Sequence, residues 1–270
     1  MISDDFFYID KRDLKRVKDK DLIETVEEVF DTRTLLTIHD LINKKIIYRM
    51  NGVVSAGKES RVYLAYGYNN EQYAVKIYLT STAVFRKGIM KYITGDPRFI
   101  GFKPSDTRRL IYMWTRKEYR NLKRMHSVGV KVPKPIAFQN NILVMEFIGE
   151  NGRRYPLLIE AYSELDVCDL ARIYDKVIDE YVKIICKAQL VHGDYSAFNI
   201  MVKPDLDIVV IDVGQSVDLS HPNALDFLNR DIRNINRFFR NEIKLDSVLT
   251  DEEVYERIKP CLTVKKVDLY

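Results

Sequence analysis

The segment Leu190–Val202 reads Leu-Val-His-Gly-Asp-Tyr-Ser-Ala-Phe-Asn-Ile-Met-Val, so an acid, Asp194, stands five residues ahead of an amide, Asn199. Further on, the apolar run Val209-Val210-Ile211 ends at Asp212, followed by Val213-Gly214. Phosphoryl transfer uses such a set. One carboxylate orients or deprotonates the acceptor, while an amide oxygen and a second carboxylate hold Mg²⁺. Taken singly, each Asp is as well explained by a turn or a helix cap. The ordered set is what points to chemistry.

Upstream, Ala74-Val75-Lys76-Ile77 sits inside a strand pattern, and Glu118 is the sole acid among seven cations of a later helical stretch. A strand lysine flanked by apolar residues matches the kinase pattern in which such a Lys contacts nucleotide phosphates and pairs with a helical Glu. An acid isolated among cations is better explained by one defined ion pair than by solubility, so Lys76–Glu118 is the expected pair. The loop before it, Asn51–Val62, offers Ser55, Gly57, Lys58 and Ser60 as phosphate contacts through backbone amides, hydroxyls and an ammonium. It matches neither common glycine-rich phosphate motif, and a plain hairpin turn accounts for it equally well. The run Asn141–Gly149 reads as a hinge: the backbone of Glu146 and Ile148 would meet an adenine ring, with Met145 behind it. An ordinary core strand would have the same sequence.

These residues need elements to hold them. Helical spacing runs through residues 21–43. Three antiparallel strands follow, at Ile46–Val54, Arg61–Gly67 and Gln72–Leu79, separated by turn signals. Residues 80–106 lose periodicity and collect glycines and prolines, which marks a functional or flexible loop. Thr107 to about His126 is helical and basic, and two more strands lie near Ile136–Gln139 and Ile142–Phe147. After Gly149 the chain turns helical, with a long amphipathic helix near 169–188, two short strands at Ile200–Val202 and Ile208–Ile211, and helices at Asn223–Asn241 and Thr250–Lys259. The last opens on Thr250 with Glu253 three residues later, a capping box. This order predicts an α+β, two-lobed kinase-like fold, with a five-stranded antiparallel lobe around one main helix and a mostly helical, reduced second lobe. The expected divisions are 1–45 (helical segment), 46–148 (sheet lobe) and 149–270 (helical lobe).

Composition fits that plan. Of 270 residues, 46% are hydrophobic and 30% charged, enough to bury a core. Lys plus Arg exceed Asp plus Glu by 43 to 39, so a net charge of +4 neither requires nor excludes an anionic partner. Seventeen Tyr and 12 Phe against 11 Gly and 8 Pro argue against disorder. Cys168, Cys186 and Cys261 are odd in number and widely spaced, which predicts neither a disulfide framework nor a cysteine zinc site, and a reducing compartment. The four histidines show no metal-ligand spacing, and His192 is expected to brace its loop. No signal peptide or membrane-length apolar run is visible, so a soluble cytoplasmic protein without membrane contact is expected.

Together, Ser55–Val62, Tyr73–Ile77, Trp114–Lys123, Leu143–Gly149, Val191–Val202 and Val209–Gly214 resemble the RIO family of atypical protein kinases, most closely its type-1 branch. The resemblance covers roughly residues 50–215. It implies a kinase fold reduced to its ATP-binding parts, with serine/threonine kinase or ATPase activity using ATP and Mg²⁺ (or Mn²⁺ in its place). It also implies a role in maturation of the small ribosomal subunit, with the pre-ribosomal particle and its rRNA as partners. By matched position, Asp194 would be the catalytic acid/base, Asn199 and Asp212 the metal ligands, and Lys76, Glu146 and Ile148 the ATP contacts. Asp212 would also be transiently phosphorylated, as the family's aspartyl-phosphate chemistry implies. About 45 residues precede the first strand, too few for the winged-helix domain of the type-2 branch, and residues 80–106 fall where the type-1 flexible loop lies.

His-Gly-Asp and Asp-Val-Gly depart from the motifs of ordinary protein kinases, no Ala-Pro-Glu follows, and the 58 residues after Asp212 are too few for an activation loop and peptide-binding helices. Two alternatives stay open: a small-molecule phosphotransferase of the aminoglycoside- or choline-kinase type, and a non-catalytic, ATP-binding assembly factor. The cations of Arg108–Arg124, with Arg86, Lys87, Lys91 and Arg98, are candidates for rRNA phosphate contact or for a solvated face.

Overall fold

The computed structural model describes residues 30–80, 88–101 and 106–262. The expected helix over 21–43 is seen from α1 (Thr32–Asn43) onward, its earlier part lying outside the described residues. Strands β1 (Arg49–Ala56), β2 (Ser60–Tyr66), β3 (Gln72–Tyr78), β4 (Pro135–Gln139) and β5 (Ile142–Glu146) form one antiparallel sheet in the order β1-β2-β3-β5-β4. Between β3 and β4 runs α2 (Thr107–Ser127), the long basic helix.

Strand alternation decides what each sheet face carries. Val75 and Ile77 of β3, with Ile142 and Val144 of β5, pack with Ile38 and Leu41 of α1. The intervening Lys76, Tyr78 and Leu143 therefore point to the opposite face, where Tyr78 and Leu143 join the larger core with Leu110, Trp114 and Leu122 of α2. Lys76 is thus aimed at α2 by the same period that buries its neighbours.

The second half is built from β6 (Gly149–Glu150) and β7 (Arg153–Arg154), the single-turn α3 (Leu158–Ala161), α4 (Val167–Cys186), β8 (Leu190–Val191), the pair β9 (Ile200–Val202) and β10 (Ile208–Val210), β11 (Val217–Asp218), α5 (Ala224–Arg237) and α6 (Asp251–Leu262). Short turns join β8 to β9 and β10 to β11, and these carry Asp194, Asn199 and Asp212. Helices α4, α5 and α6 pack together through Ile173, Val177, Leu228, Ile232, Val254 and Ile258. The capping box at α6 is formed, with Glu253 N–H donating to Thr250 Oγ1 (3.1 Å) and Thr250 N–H to Glu253 Oε2 (2.7 Å).

Three expectations change. After Gly149 the chain first makes the β6–β7 hairpin, whose Asn151 and Gly152 both have positive φ (51° and 76°), the backbone an Asn-Gly turn supplies. Of the 80–106 stretch, 81–87 and 102–105 lie outside the described residues, while Ile89, Tyr92 and Ile93 are buried in the main core, so sparse periodicity around them reflects short turns. The absence of a disulfide is also corrected. Cys186 at the end of α4 and Cys261 at the end of α6 are bonded, with Cα atoms 5.0 Å apart. They are 75 residues apart in the chain, and only packing of α6 on α4 brings them together.

Candidate active site

Lys76 donates to Glu118 Oε1 at 2.8 Å and to Asp212 Oδ1 at 2.9 Å, so one ammonium joins the sheet, α2 and the turn after β10. Burial opposes its charge, but Asp212 and Glu118 together outweigh that and push its pKa well up, so Lys76 is a cation at any physiological pH. Tyr78 donates its hydroxyl to Glu118 Oε2, occupying the second carboxylate oxygen. Asp212 has half of its side chain exposed (50%), and the Lys76 ammonium holds its pKa below the usual carboxylate range. Its backbone is left-handed (φ 56°, ψ 58°), a conformation that costs a non-glycine residue about 1–2 kcal/mol.

The cleft in front of Lys76 encloses about 250 Å³. Ser55, Gly57 and Ser60 line it from the β1–β2 turn, Lys76 from β3, Met145, Glu146 and Ile148 from the end of β5, and Asn199 and Asp212 from the opposite half. Apolar walls come from Val62, Ala74, Phe147, Met201 and Ile211. Of the expected site residues, Lys58 stays exposed outside the lining, Glu118 lies buried behind Lys76, and Asp194 stands beyond Asn199. At the hinge, Glu146 N–H is taken by Lys134 O (2.8 Å) and Ile148 O by Tyr155 N–H (3.1 Å).

Asn199 Nδ2 donates to Asp194 O (2.8 Å) and Oδ2 (3.2 Å), and Gln215 Nε2 donates to the same Oδ2 (3.2 Å). With its amide nitrogen so used, Asn199 has its Oδ1 left to offer a cation, in the same cleft that the Asp212 carboxylate lines. These are hard oxygen donors, and two of them suit Mg²⁺, which completes its shell with water and phosphate oxygens. Among the described residues no three His, Cys, Asp or Glu side chains gather as a protein-only metal cage.

The structure adds residues that sequence reasoning passed over. Buried Asp231 of α5 accepts from Gly193 N–H (2.7 Å) and Tyr195 N–H (3.0 Å), holding the loop on both sides of Asp194, and burial pushes its pKa up to about 7. Arg230 donates to Gly193 O. His192, also expected as a brace, is buried and neutral because burial lowers its pKa; its ring reaches Ile211 O (3.3 Å) and accepts from Asp194 N–H (3.3 Å). On α2, Lys117 is 0% exposed, with its Nζ on Gly214 O (2.7 Å) and Ser216 O (2.5 Å) and over the Trp114 ring. Asn121 Nδ2 adds Val213 O (2.8 Å) and Ser216 O (3.1 Å), and Arg98 reaches Asn121 Oδ1 (2.7 Å) and Ser216 O (3.2 Å). The turn after Asp212 is therefore pinned through its carbonyls by the inner face of α2. The available signal was periodicity: Leu110, Trp114, Lys117, Asn121 and Met125 share one helix face.

The RIO domain profile matches residues 61–252. The chain belongs to the RIO family. It is 41% identical over 230 residues to a serine/threonine-protein kinase RIO1 of Caenorhabditis elegans, covering 85% of this chain and 44% of that protein. It is 42% identical over 229 residues to the RIO-type serine/threonine-protein kinase Rio1 of Haloferax volcanii (84% and 76%), and 38% identical over 261 residues to human RIO1 (96% and 45%). The chain thus spans less than half the length of the worm and human relatives. In structure it is similar to the Rio2 kinase of Chaetomium thermophilum, solved as an ADP/Mg²⁺-phosphoaspartate complex (TM-score 0.63, 22% identity, 83% of this chain and 65% of that chain), which fits the two-lobed α+β fold. Among the described residues no helix is long and apolar enough to cross a membrane.

Proposed function

We propose that this RIO-family chain is an ATP- and Mg²⁺-dependent serine/threonine kinase or ATPase. The observation that carries the reading is Lys76 bridging Glu118 and Asp212 on the wall of a cleft that Asn199 also lines. That is the charge arrangement a nucleotide triphosphate and its cation require: an ammonium for phosphate oxygens, and two oxygen ligands across from it. The Glu146 carbonyl and Ile148 N–H would hold the adenine edge, with Met145 behind, and Ser55, Gly57 and Ser60 would cover the phosphates. Bound Mg²⁺ would neutralise charge developing on the phosphate oxygens.

Asp194 would orient the acceptor hydroxyl and take its proton. Its place is set by Asn199 and Gln215 from the side chain and by Asp231 through the backbone. If Asp212 is the acceptor, its carboxylate oxygen attacks the γ-phosphorus, the bond to the β–γ bridging oxygen breaks, and ADP leaves. The Chaetomium Rio2 kinase was solved as a phosphoaspartate complex, and the exposed half of Asp212 here supports the same chemistry. On the family resemblance we place this activity in the cytoplasm, in maturation of the small ribosomal subunit, with the pre-ribosomal particle and its rRNA as partners.

The test is turnover of γ-labelled ATP with Mg²⁺, read as released phosphate and as labelled protein. Asp194→Asn should lower turnover to an acceptor by about 10²–10⁴-fold while leaving ATP affinity unchanged. Wild-type protein that neither hydrolyses ATP nor labels itself would overturn catalysis. Co-sedimentation with small ribosomal subunits tests the partner.

A further inference from the structure

The turn that follows Asp212 also reaches the carboxylate of Asp194. Asp212 caps the single 3₁₀ turn Val213–Gln215, and the last residue of that turn, Gln215, donates its Nε2 to Asp194 Oδ2 (3.2 Å). Two further contacts bring the two loops together. The His192 ring spans from Asp194 N–H (3.3 Å) to Ile211 O (3.3 Å), and Ile211 N–H donates to Asn199 O (2.9 Å). Of these three contacts, only that of Gln215 acts on a carboxylate oxygen. Its side chain makes no other hydrogen bond among the described residues, whereas the carbonyls of the turn are held by Lys117, Asn121 and Arg98. The side chain of Gln215 is therefore not what shapes the turn; its one contact is with Asp194.

That contact divides the work between the two oxygens of Asp194. Oδ2 accepts from Gln215 and from Asn199 Nδ2 (3.2 Å), while no donor among the described residues reaches Oδ1. Two amide donors on one oxygen favour the ionised form and fix the rotation of the carboxylate, which leaves Oδ1 as the oxygen that takes a proton. The two half-reactions of an ATPase that passes through Asp212 need this oxygen unequally. The Lys76 ammonium keeps Asp212 ionised, so it attacks the γ-phosphorus with no proton to lose and requires no base. A water molecule attacking the resulting acyl phosphate does lose a proton, and a positioned carboxylate speeds that step.

We propose that Gln215 is a positioning residue for hydrolysis of the Asp212 phosphate, holding Asp194 as base for the attacking water and taking no part in forming that phosphate. The proposal rests on the reading of Asp212 as phosphoryl acceptor. In this step the water oxygen bonds to phosphorus, and the bond from phosphorus to the Asp212 oxygen breaks, its electron pair returning to the carboxylate. Asp194 Oδ1 takes the proton that the water loses, and inorganic phosphate leaves. A neutral amide suits the position because it donates without adding charge, whereas a glutamate there would face Asp194 with a second carboxylate.

The experiment is rapid-quench labelling of the full chain with γ-labelled ATP and Mg²⁺, followed by a chase with unlabelled ATP. Label on the protein and free phosphate are counted together, and lability to hydroxylamine identifies the acyl phosphate. In Gln215→Leu, which keeps the bulk and removes the donor, release of phosphate during the chase should slow by about tenfold or more, the effect of losing one hydrogen bond to a charged group. The rate at which label forms should stay within about twofold of wild type, because that half-reaction does not use the contact. Gln215→Glu should slow release further at an unchanged rate of labelling. A residue that merely supported the fold would lower labelling and release together. Equal losses in the two, or release at the wild-type rate in Gln215→Leu, would overturn the proposal and leave Asp212 standing as acceptor. Wild-type protein without hydroxylamine-labile label would overturn the Asp212 reading itself, and the proposal with it.

Discussion

The two faces of α2 carry polar hydrogen-bond donors at adjacent positions, with opposite fates. Arg116 and Arg120 stand in solvent, while Lys117 and Asn121, one residue further along in each case, are fully buried against the turn that follows Asp212. A step of about 100° around the helix separates a cation free to meet a partner from one committed to backbone carbonyls. A buried ammonium is costly unless every donor is used. Lys117 meets that condition with two carbonyls and the Trp114 face, although burial and nearby Arg98 push its pKa well down. The outer arginines meet no such condition, because water satisfies them. Identity alone therefore says little about the role of a basic residue on this helix; the face decides.

The sharpest way to break this comparison is to make the same substitution on each face. Lys117→Met keeps the stem and its packing but removes the donors, leaving Gly214 O and Ser216 O buried with fewer partners. The expected cost is about 3 kcal/mol in denaturant unfolding. ATP turnover should also fall, with a raised Mg²⁺ requirement, because the turn that orients Asp212 loses its clamp. Arg116→Met, one residue away, should change stability by less than about 0.5 kcal/mol and leave turnover intact. Equal costs for the two would show that the faces do not differ in the way the contacts indicate.

How much of this was legible beforehand follows from the range over which each signal acts. Lys76 and Glu118 stood out because each was locally anomalous, a cation in an apolar strand and an acid among cations, and they meet at 2.8 Å. The order Asp194, Asn199, Asp212 was legible because loop chemistry is written in short spacings. Lys117 was passed over by counting cations instead of phasing them, although its spacing from Leu110, Trp114 and Asn121 places it on the inner face. The β6–β7 hairpin carried an Asn151-Gly152 turn signal, but strands of two residues give no alternation to recognise. Asp231 and the Cys186–Cys261 bond had no local signal at all. Each depends on helices from distant parts of the chain packing together, which periodicity does not report.

Asp231 extends the comparison to α5, where the buried titratable group is an acid that accepts from two backbone N–H groups and from the Tyr181 hydroxyl (3.3 Å). Burial raises its pKa to about 7, against an unfolded value near 3.9. Below about pH 4 the folded and unfolded states both bind the proton. Between about 4 and 7 the folded state retains more of it, so this group makes stability fall as pH rises through that window, with no further change above it. Urea midpoints at pH 5 and pH 8 should therefore show a negative slope that shrinks in Asp231→Asn, after allowance for the ~1–2 kcal/mol that the amide costs by facing an N–H with its own donor. An unchanged slope would mean that the N–H donors keep the carboxyl ionised.

The smallest effect belongs to the outer face and has the opposite sign. Arg116 and Arg120 repel across one turn, and no acid among the described residues relieves them. Arg120→Glu replaces a like-charge pair by an opposite-charge pair at the same spacing and should stabilise the protein by about 0.5 kcal/mol at low salt. The gain should fade toward zero near 1 M salt, where the screening length is only about 3 Å. A gain that fades with salt in this way would show that the two arginines are held side by side on this face at a small cost in stability. If Arg120→Glu instead destabilises, Arg120 has an intramolecular role and the outer face is not free in the sense that distinguishes it from the inner one.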